Sequence, residues 1–211
     1  MDSFFIRREL PEDIPAIFEV NCQAFAHDDE AQLVDALRKN GDFNPALSLV
    51  AVFDDRIIGH ILFPDITIES ENESFPAVAL APLVVHPDFQ CRGIGLGLIE
   101  EGFETCRAHG HNIVVVVGHP GYYPRFGFSP ARSCGICAPF DVADDVFMVH
   151  ALTPGALAGV HGIVRYPKAF ESVVGADISR AETVIPESAA RRVATRRKVL
   201  TRRPRGTVLQ E

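Results

Sequence analysis

Three closely spaced glycines point most directly to chemistry in this chain. Gly93, Gly95 and Gly97 lie in the run "FQCRGIGLGLIEEGF" at residues 89–103, at the start of an apolar pattern with helical periodicity. The first backbone N–H groups of a helix have no partner inside the helix, and the helix dipole adds partial positive charge there. Because glycine has no Cβ to hold an anion away from those groups, the run predicts a phosphate-binding site.

Three interpretations of the glycine run compete. A P-loop is excluded because no Gly-Lys-Ser/Thr ends the run. A dinucleotide-binding Rossmann loop fits poorly: Leu98 stands where glycine or alanine is needed, and residues 113–118, "IVVVVG", offer no acidic side chain for a ribose. The third interpretation is a helix that packs closely on a strand and needs small residues there. The run by itself leaves this interpretation open.

The first half of the chain is predicted to supply a strand, two helices and a hairpin. "FFIRREL" alternates as a strand does, and "PEDIPAIFEVNCQAF" and "DDEAQLVDALRKNGD" have helical patterns, with Pro11 near the start and Gly41 at the end. Two β-rich runs, "ALSLVAVFDD" and "RIIGHILFPDITIES", meet at Asp54-Asp55, a pair that favours a tight turn. Mixed α and β structure therefore precedes the glycine run.

The glycine run itself lies between two predicted strands. "PAVALAPLVVHP" precedes it, and "NIVVVVGHP" follows as a β-branched run typical of a strand buried on both faces. The helix between them spans roughly 94–109. Its predicted buried side consists of Ile94, Leu98, Ile99, Phe103 and Cys106. A short helix around "GYYPRFG" and weaker strands such as "DVFMVHAL" follow. Pro82 has no N–H to donate to a neighbouring strand, and a bulge or splay of the strand near residues 82–85 would accommodate it.

Composition favours a cytoplasmic, globular protein. The 211 residues are 47% hydrophobic and 23% charged, and the N-terminus lacks the features of a signal peptide. No stretch approaches the about 18–20 uncharged apolar residues of a membrane helix, so we expect no membrane association. Five irregularly spaced cysteines indicate no disulfide framework. Cys134-x-x-Cys137 resembles half of a zinc site but lacks a second pair, so we expect no metal.

The charge of the chain is unevenly distributed. Residues 1–190 carry 12 basic and 27 acidic side chains, whereas residues 191–211 carry 8 basic side chains and one acidic. The acidic body would repel nucleic acid, while the basic tail could attract it or an acidic partner. A solvated basic segment is the simpler interpretation, and we expect no nucleic-acid binding.

Two motifs in this chain resemble those of the GNAT (GCN5-related N-acetyltransferase) family. The family's coenzyme A signature, Arg/Gln-x-x-Gly-x-Gly/Ala, is filled by Gln90, Gly93 and Gly95, after the Leu-x-Val-x-Pro-like residues 83–87. The second signature, an aromatic-Tyr pair followed by a basic residue and Gly-Phe, appears in order at residues 122–128, "YYPRFGF". "FMVHALTPGALAGVHGIVRYP" further resembles the YhbS-like bacterial subgroup.

The resemblance implies a fold and a division of the chain. The fold is the acyl-CoA N-acyltransferase (GNAT) fold of the mixed α/β class, with a mixed, mostly antiparallel sheet splayed at the cofactor cleft and helices on both faces. We assign residues 1–170 to the N-acetyltransferase domain and 171–211 to a C-terminal basic extension. No motif of the family lies in the extension.

The resemblance also implies a site for acetyl-coenzyme A (acetyl-CoA) as co-substrate. The Val85 N–H would polarise the thioester carbonyl, and the Tyr123 hydroxyl, which titrates near ~10 when unperturbed, would protonate the leaving thiolate. Tyr122 could exchange roles with Tyr123. The implied cofactor-binding residues are Leu83, Val85, Gln90, Cys91, Arg92, Gly93, Ile94, Gly95, Leu96, Gly97 and Arg125. For the two arginines, a solvent-exposed role is the alternative.

The general base and the acceptor stay open in the sequence. His86 and His60 are candidate bases because an unperturbed histidine titrates near ~6.5, yet either could be structural, and proton loss to solvent needs no residue. We expect transfer of acetyl to a primary amine, on a small molecule or a peptide, by direct attack. The alternative is a catalytically inactive coenzyme A-binding regulator that contacts a partner through its basic tail. A homodimer is compatible with either function.

Overall fold

The computed structural model describes residues 4–171, so the basic extension lies outside the described residues from 172 onward. The helices within this range are α1 (Ile14–Phe25), α2 (Asp29–Asn40) and α3 (Ile94–Ala108). The strands are β1 (Phe5–Arg8), β2 (Ser48–Phe53), β3 (Arg56–Leu62), β4 (Asp65–Glu69), β5 (Ser74–Ala79), β6 (Leu83–Val85), β7 (Ile113–Val117), β8 (Ser129–Pro130), β9 (Ile136–Cys137), β10 (Phe147–Ala151) and β11 (Gly162–Arg165). None of the helices in this part of the chain has the length and apolar character to span a bilayer.

The strands form two sheets, and the chain crosses between them at β3–β4 and again at β5–β6. One sheet has the order β1-β2-β3-β6 and is antiparallel throughout. The other has the order β8-β10-β7-β5-β4-β11-β9, in which β5 and β7, and β9 and β11, are parallel pairs. Consecutive strands β5 and β6 lie in different sheets. The predicted mixed, mostly antiparallel arrangement is confirmed.

Most local elements form where the sequence predicts them. Pro11 begins a short 3-10 turn before α1, and Gly41 ends α2 with a φ of +79°, a conformation that glycine adopts without strain. Asp54 and Asp55, with φ values of +46° and +58°, connect β2 to β3 as a two-residue hairpin turn. Two positive φ values in succession are typical of a type I′ turn, whose twist suits paired strands.

Two β-rich runs that the sequence presents as single strands are divided in the structure. The run at 56–70 breaks at Phe63 and Pro64 into β3 and β4, and the run at 76–87 breaks at residues 80–82 into β5 and β6. In both cases the two halves belong to different sheets. Proline lacks the N–H that continuous pairing requires, so each run crosses from one sheet to the other at its proline.

Helix α3 and strand β7 form the centre of the core. The five predicted buried residues of α3 are at most 7% exposed, as the helical periodicity required. On β7, Val114 and Val116 pack into the cluster beneath α3, while Ile113 and Val115 pack into the cluster on the opposite face. Burial on both faces explains the continuous β-branched run. Helix α1 packs on the face of β3 that carries His60, and α3 packs on the face that carries Gly59, so helices cover both faces as predicted.

A buried polar network joins α1 and α2 to the four-stranded sheet. His60 is fully buried; its Nε2 lies 3.0 Å from Ser48 Oγ and its Nδ1 lies 3.4 Å from Asn21 Nδ2. Ser48 also donates to Glu9, whose carboxylate pairs with Arg38 at 2.9 Å. Burial, with a smaller contribution from the Arg38 charge, lowers the pKa of His60 to about 3. His60 is therefore neutral in the folded protein.

The buried His60 predicts an acid-sensitive stability. In the unfolded chain this histidine takes up a proton near pH 6.5, whereas in the folded protein it does so only near pH 3. The free energy of unfolding therefore has its full value above pH 6.5 and declines as the pH falls below it. Between pH 7.5 and 5.5, the free energy of unfolding should fall by about 1.4 kcal/mol more in the wild type than in His60→Gln. Urea unfolding at the two pH values measures this difference.

Substitution of the exposed His109 by glutamine is the matched control for loss of one imidazole, and the wild type should differ more from His60→Gln than from this control. Equal pH dependence in the wild type and His60→Gln would contradict a neutral, buried His60.

Candidate active site

A cleft opens where strand β6 leaves strand β7. β5 pairs with β7 at Val78 and Ala79, and the Leu80 N–H still donates to the Val115 carbonyl at 2.8 Å. From there β6 pairs with β3 and forms the edge of the four-stranded sheet, whereas β7 continues in the other sheet to Val117. Two neighbouring stretches of main chain thus diverge and leave a gap between them.

A bulge redirects the chain at this point. The Ala81 N–H donates to the Leu62 carbonyl at 3.0 Å, and the Leu62 N–H donates to the Pro82 carbonyl at 3.1 Å. Ala81 and Pro82 therefore both lie opposite Leu62, as in a β-bulge. The sequence predicted an irregularity near residues 82–85, and the structure places it at Ala81 and Pro82.

The register of β6 determines which main-chain groups face the cleft. Pro82 accepts from Leu62, and the His86 N–H donates to Ile58 at 2.9 Å, so the even-numbered residues bond to β3. In an antiparallel strand, successive residues direct their N–H and C=O groups to opposite sides. Leu83 and Val85 therefore direct these groups into the cleft, where the predicted roles of both residues require them.

The glycine run forms the N-terminus of α3. Gly93 precedes the helix with a φ of +88°, and the first intrahelical bond runs from the Gly97 N–H to the Gly93 carbonyl at 3.0 Å. Within the described residues, the N–H groups of Ile94, Gly95 and Leu96 consequently have no carbonyl partner in the helix. Cys91 is exposed and has a φ of +62°, which completes the turn ahead of the helix. These free N–H groups can bind an anion.

The glycines of the run serve two different purposes. A Cβ at Gly95 would lie 3.1 Å from the Tyr122 hydroxyl and 3.8 Å from Val85 Cγ2, at the end of the cleft. A Cβ at Gly97 would instead lie 3.2 Å from Ile6 Cδ1 on β1. Gly97, whose N–H is already bonded, therefore allows close helix–strand packing, while Gly93 and Gly95 leave open the turn that is predicted to bind an anion. The close-packing interpretation therefore holds at Gly97, whereas Gly93 and Gly95 lie in the turn that precedes and begins α3.

The polar side chains around the turn are held by main-chain carbonyls. Gln90 Nε2 donates to the Val85 carbonyl at 3.1 Å. Arg92 donates to the Asp88 carbonyl at 2.8 Å with its guanidinium over the Phe89 ring, 5.1 Å from the centroid. Arg92 and Arg125, the two arginines predicted to contact the cofactor, are both exposed. Their guanidinium groups therefore combine a local contact with access to a ligand.

Arg125 is held in a similar way on the second motif. Its Nε donates to the Tyr122 carbonyl at 2.9 Å, and its guanidinium lies over the Tyr122 ring at 4.7 Å from the centroid. Arg125 therefore supports the tyrosine pair as well as adding positive charge beside the turn.

The two tyrosines occupy different environments. Tyr123 is 9% exposed, lies against Gly118 at the end of β7, and packs edge-on to Tyr122 and Phe128 with centroid distances of 5.2 and 5.5 Å. Tyr122 is partly buried and places its hydroxyl over Gly95. Burial raises the pKa of both hydroxyls, more strongly for Tyr123, so both are protonated at neutral pH.

None of the histidines near the cleft is arranged as a base. His60 is fully buried on the face of β3 that packs on α1, out of reach of an acceptor. His86 follows β6, and its Nδ1 accepts the Asp88 N–H at 3.2 Å. His119 follows β7, and its Nδ1 accepts the Gly121 N–H at 3.0 Å. With Nδ1 occupied as an acceptor, each neutral ring carries its proton on Nε2 and can donate there.

The sequence analysis did not consider His119, which lies two residues after the buried strand β7. The Cys134 and Cys137 pair belongs to no metal-binding cluster: within residues 4–171, no three histidine, cysteine or acidic side chains are grouped to hold a metal ion.

The stretch of chain that carries this cleft, the open helix N-terminus and the tyrosine pair matches a known protein family. Residues 6–131 match the family described as "Acetyltransferase (GNAT) domain". The chain is 40% identical over 153 residues to the Escherichia coli K12 protein named uncharacterized N-acetyltransferase YjhQ, covering 70% of this chain and 84% of that one. The chain therefore belongs to the GNAT acetyltransferase family, as its motifs predicted.

Two solved structures extend the similarity over most of the described residues. The crystal structure of Escherichia coli YhbS in complex with CoA superimposes with a TM-score of 0.75 at 34% identity, covering 80% of this chain and 92% of that chain. A GNAT acetyltransferase from Brucella melitensis in complex with acetyl-CoA gives a TM-score of 0.64 at 32% identity, covering 81% and 99%. The GNAT fold predicted from the sequence is confirmed.

The contact between Gly118 and Tyr123 makes a testable prediction. A Cβ at residue 118 would lie 2.1 Å from Tyr123 Cε2, so Gly118→Ala must displace the ring or the end of β7. We expect the free energy of unfolding to fall by about 1–3 kcal/mol, the usual cost of overpacking. Urea unfolding measures it. Gly121→Ala is the control because its Cβ would come no closer than 3.1 Å, to the His119 ring. Wild-type stability in Gly118→Ala would contradict the described packing of Tyr123.

Proposed function

We propose that this protein transfers an acetyl group from acetyl-CoA to a primary amine by direct attack of the amine on the thioester. The observation that supports it best is the divergence of β6 from β7, which leaves the N–H and C=O groups of Leu83 and Val85 facing a cleft beside the free N–H groups of α3. Two relatives at 34% and 32% identity, described as complexes with CoA and acetyl-CoA, support the choice of co-substrate.

Main-chain groups would bind the cofactor at its diphosphate and along its pantetheine arm. The N–H groups of Ile94, Gly95 and Leu96 would bind the diphosphate, with the helix dipole and the nearby Arg92 and Arg125 adding positive charge. The pantetheine arm would pair with Leu83 as an added strand, because an exposed strand edge accepts extended chains in this way. The body of the chain is acidic, so the positive potential that binds the phosphates is local to this turn.

The chemistry needs polarisation of the thioester carbonyl and protonation of the leaving thiolate. The Val85 N–H would stabilise the negative charge that develops on the carbonyl oxygen. As the nitrogen–carbon bond forms and the carbon–sulfur bond breaks, the Tyr123 hydroxyl would give its proton to the thiolate and would then regain a proton from water. The amine would lose its proton to water, because His86 and His119 use their Nδ1 atoms as acceptors and His60 is buried.

The proposed reaction is tested by release of free CoA thiol. The full chain is incubated with acetyl-CoA and a panel of amines that includes small primary amines, polyamines, amino acids and peptides. Amine-dependent thiol release with stoichiometric acetylation of the amine supports the proposal. Binding of CoA without turnover on any amine in the panel would instead support the binding-protein alternative.

Gly95→Glu tests the cofactor site. The new side chain would enter the turn beside the Tyr122 hydroxyl and place a carboxylate against the N–H groups proposed for the diphosphate. We expect the fold to persist and the dissociation constant for CoA to rise by about 100-fold or more, equivalent to about 2.7 kcal/mol. Isothermal titration calorimetry measures the affinity, and circular dichroism checks the fold.

Leu96→Glu is the matched control because it adds the same charge on an exposed side chain in the same turn. It should weaken CoA binding less than Gly95→Glu does. Unchanged affinity in a folded Gly95→Glu variant would show that the diphosphate lies elsewhere.

Tyr123→Phe tests the proton donor. Removal of one hydroxyl oxygen should leave acetyl-CoA affinity nearly unchanged and lower kcat by about 10²–10⁴-fold, nearer the lower end because the CoA thiol is a fairly good leaving group. Steady-state thiol release measures both constants. Tyr122→Phe is the paired variant and should cost much less in kcat. A larger loss of kcat in Tyr122→Phe would transfer the role to Tyr122, whose hydroxyl lies beside Gly95.

A further inference from the structure

The peptide group that links Val85 to His86 is hydrogen-bonded at both ends. The His86 N–H donates to the Ile58 carbonyl at 2.9 Å, and the Val85 carbonyl accepts from Gln90 Nε2 at 3.1 Å. The first bond belongs to the ladder between β6 and β3. The second bond crosses from the glycine turn to the end of β6, and ladder pairing does not require it.

The bond from Gln90 changes the electrostatics of the cleft. The N–H and C=O groups of a strand residue point to the same side of the strand, so the Val85 carbonyl oxygen lies beside the N–H that faces the cleft. An unpaired carbonyl oxygen would present partial negative charge next to the place where an acyl oxygen binds. A donor on that carbonyl removes much of this repulsion and leaves the N–H as the dominant dipole.

We propose that Gln90 is a positioning residue for the acyl group: its side-chain amide occupies the Val85 carbonyl, so that the Val85 N–H alone meets the acetyl oxygen. This inference rests on the proposed function and assigns Gln90 a role different from diphosphate binding. It also predicts the register of the pantetheine arm. With the Val85 carbonyl occupied, the Leu83 carbonyl is the acceptor on β6 that remains for an amide of the arm.

A comparison of two ligands separates the two roles of Gln90. CoA and acetyl-CoA share the diphosphate and the pantetheine, and they differ in the acetyl carbonyl. Loss of a group that contacts the diphosphate weakens both ligands equally. Loss of the donor to the Val85 carbonyl weakens acetyl-CoA more, because CoA has no acyl oxygen to be repelled. The ratio of the two dissociation constants therefore reports the proposed role without any acceptor amine.

The experiment measures both dissociation constants by calorimetry for the wild type, Gln90→Met and Gln90→Arg. Methionine has a similar volume and no donor, and we expect it to raise the ratio of the acetyl-CoA to the CoA dissociation constant by about 3- to 10-fold, as for loss of one hydrogen bond. Arginine retains N–H donors and should keep the wild-type ratio even if it changes both affinities. An unchanged ratio in Gln90→Met, or a ratio that rises equally in Gln90→Arg, overturns the proposal.

Gln90→Glu provides a second, isosteric variant in case Gln90→Met does not fold, which thermal unfolding followed by circular dichroism would show. An ionised carboxylate cannot donate, so the ratio should rise at least as much as in Gln90→Met. Thiol release adds an independent readout on a working amine: kcat should fall by about tenfold in Gln90→Met with KM for acetyl-CoA within about threefold. If the wild type releases no thiol, the proposed reaction fails, whereas the ratio of dissociation constants still decides the role of Gln90.

Discussion

The stretch from Ser74 to Val85 cannot hydrogen-bond to β7 along its whole length, and the rest of the site depends on that limit. Pairing with β7 ends at Leu80, and the bulge at Ala81 and Pro82 turns the chain onto β3. The main-chain groups of Leu83 then face a gap instead of a strand. A strand edge whose main-chain groups face no neighbouring strand can pair with an extended ligand. The cleft thus lies along β6, which is an edge strand of its sheet in the described part of the chain.

Side chains that pack against glycine residues hold α3 at this edge. Gly59 on β3 lets Leu98 and Ile94 approach, since a Cβ there would lie 3.1 Å from Leu98 Cδ1, and Gly102 leaves room for the Phe63 ring. Gly97 does the same against β1. The helix is therefore fixed by packing along its length, and its N-terminus, with free N–H groups, is directed at the end of β6. A rigidly placed helix dipole can stabilise an anion without reorganisation.

The turn that carries Tyr122 and Tyr123 is also fixed by packing. Gly127 adopts a φ of +92° and lies against the His150 ring, which itself packs between Phe103 and Phe128 at centroid distances of 5.1 and 5.4 Å. Phe128 in turn packs edge-on to Tyr123. The ring of Tyr123, the residue proposed as proton donor, is consequently held by the same core that supports α3.

The sequence by itself determined the local elements and the family: helical periodicity gave the buried face of α3, the β-branched run gave β7, and the paired signatures around Gly93 and Tyr123 gave the fold. Local patterns report on local geometry, so these predictions succeeded. Tertiary structure decided the rest. Four features depend on residues that are distant in the chain, and no local pattern records which of these residues come together. They are the division of two β-rich runs between two sheets, the separate tasks of Gly95 and Gly97, the burial of His60 and the contact of Gln90 with Val85.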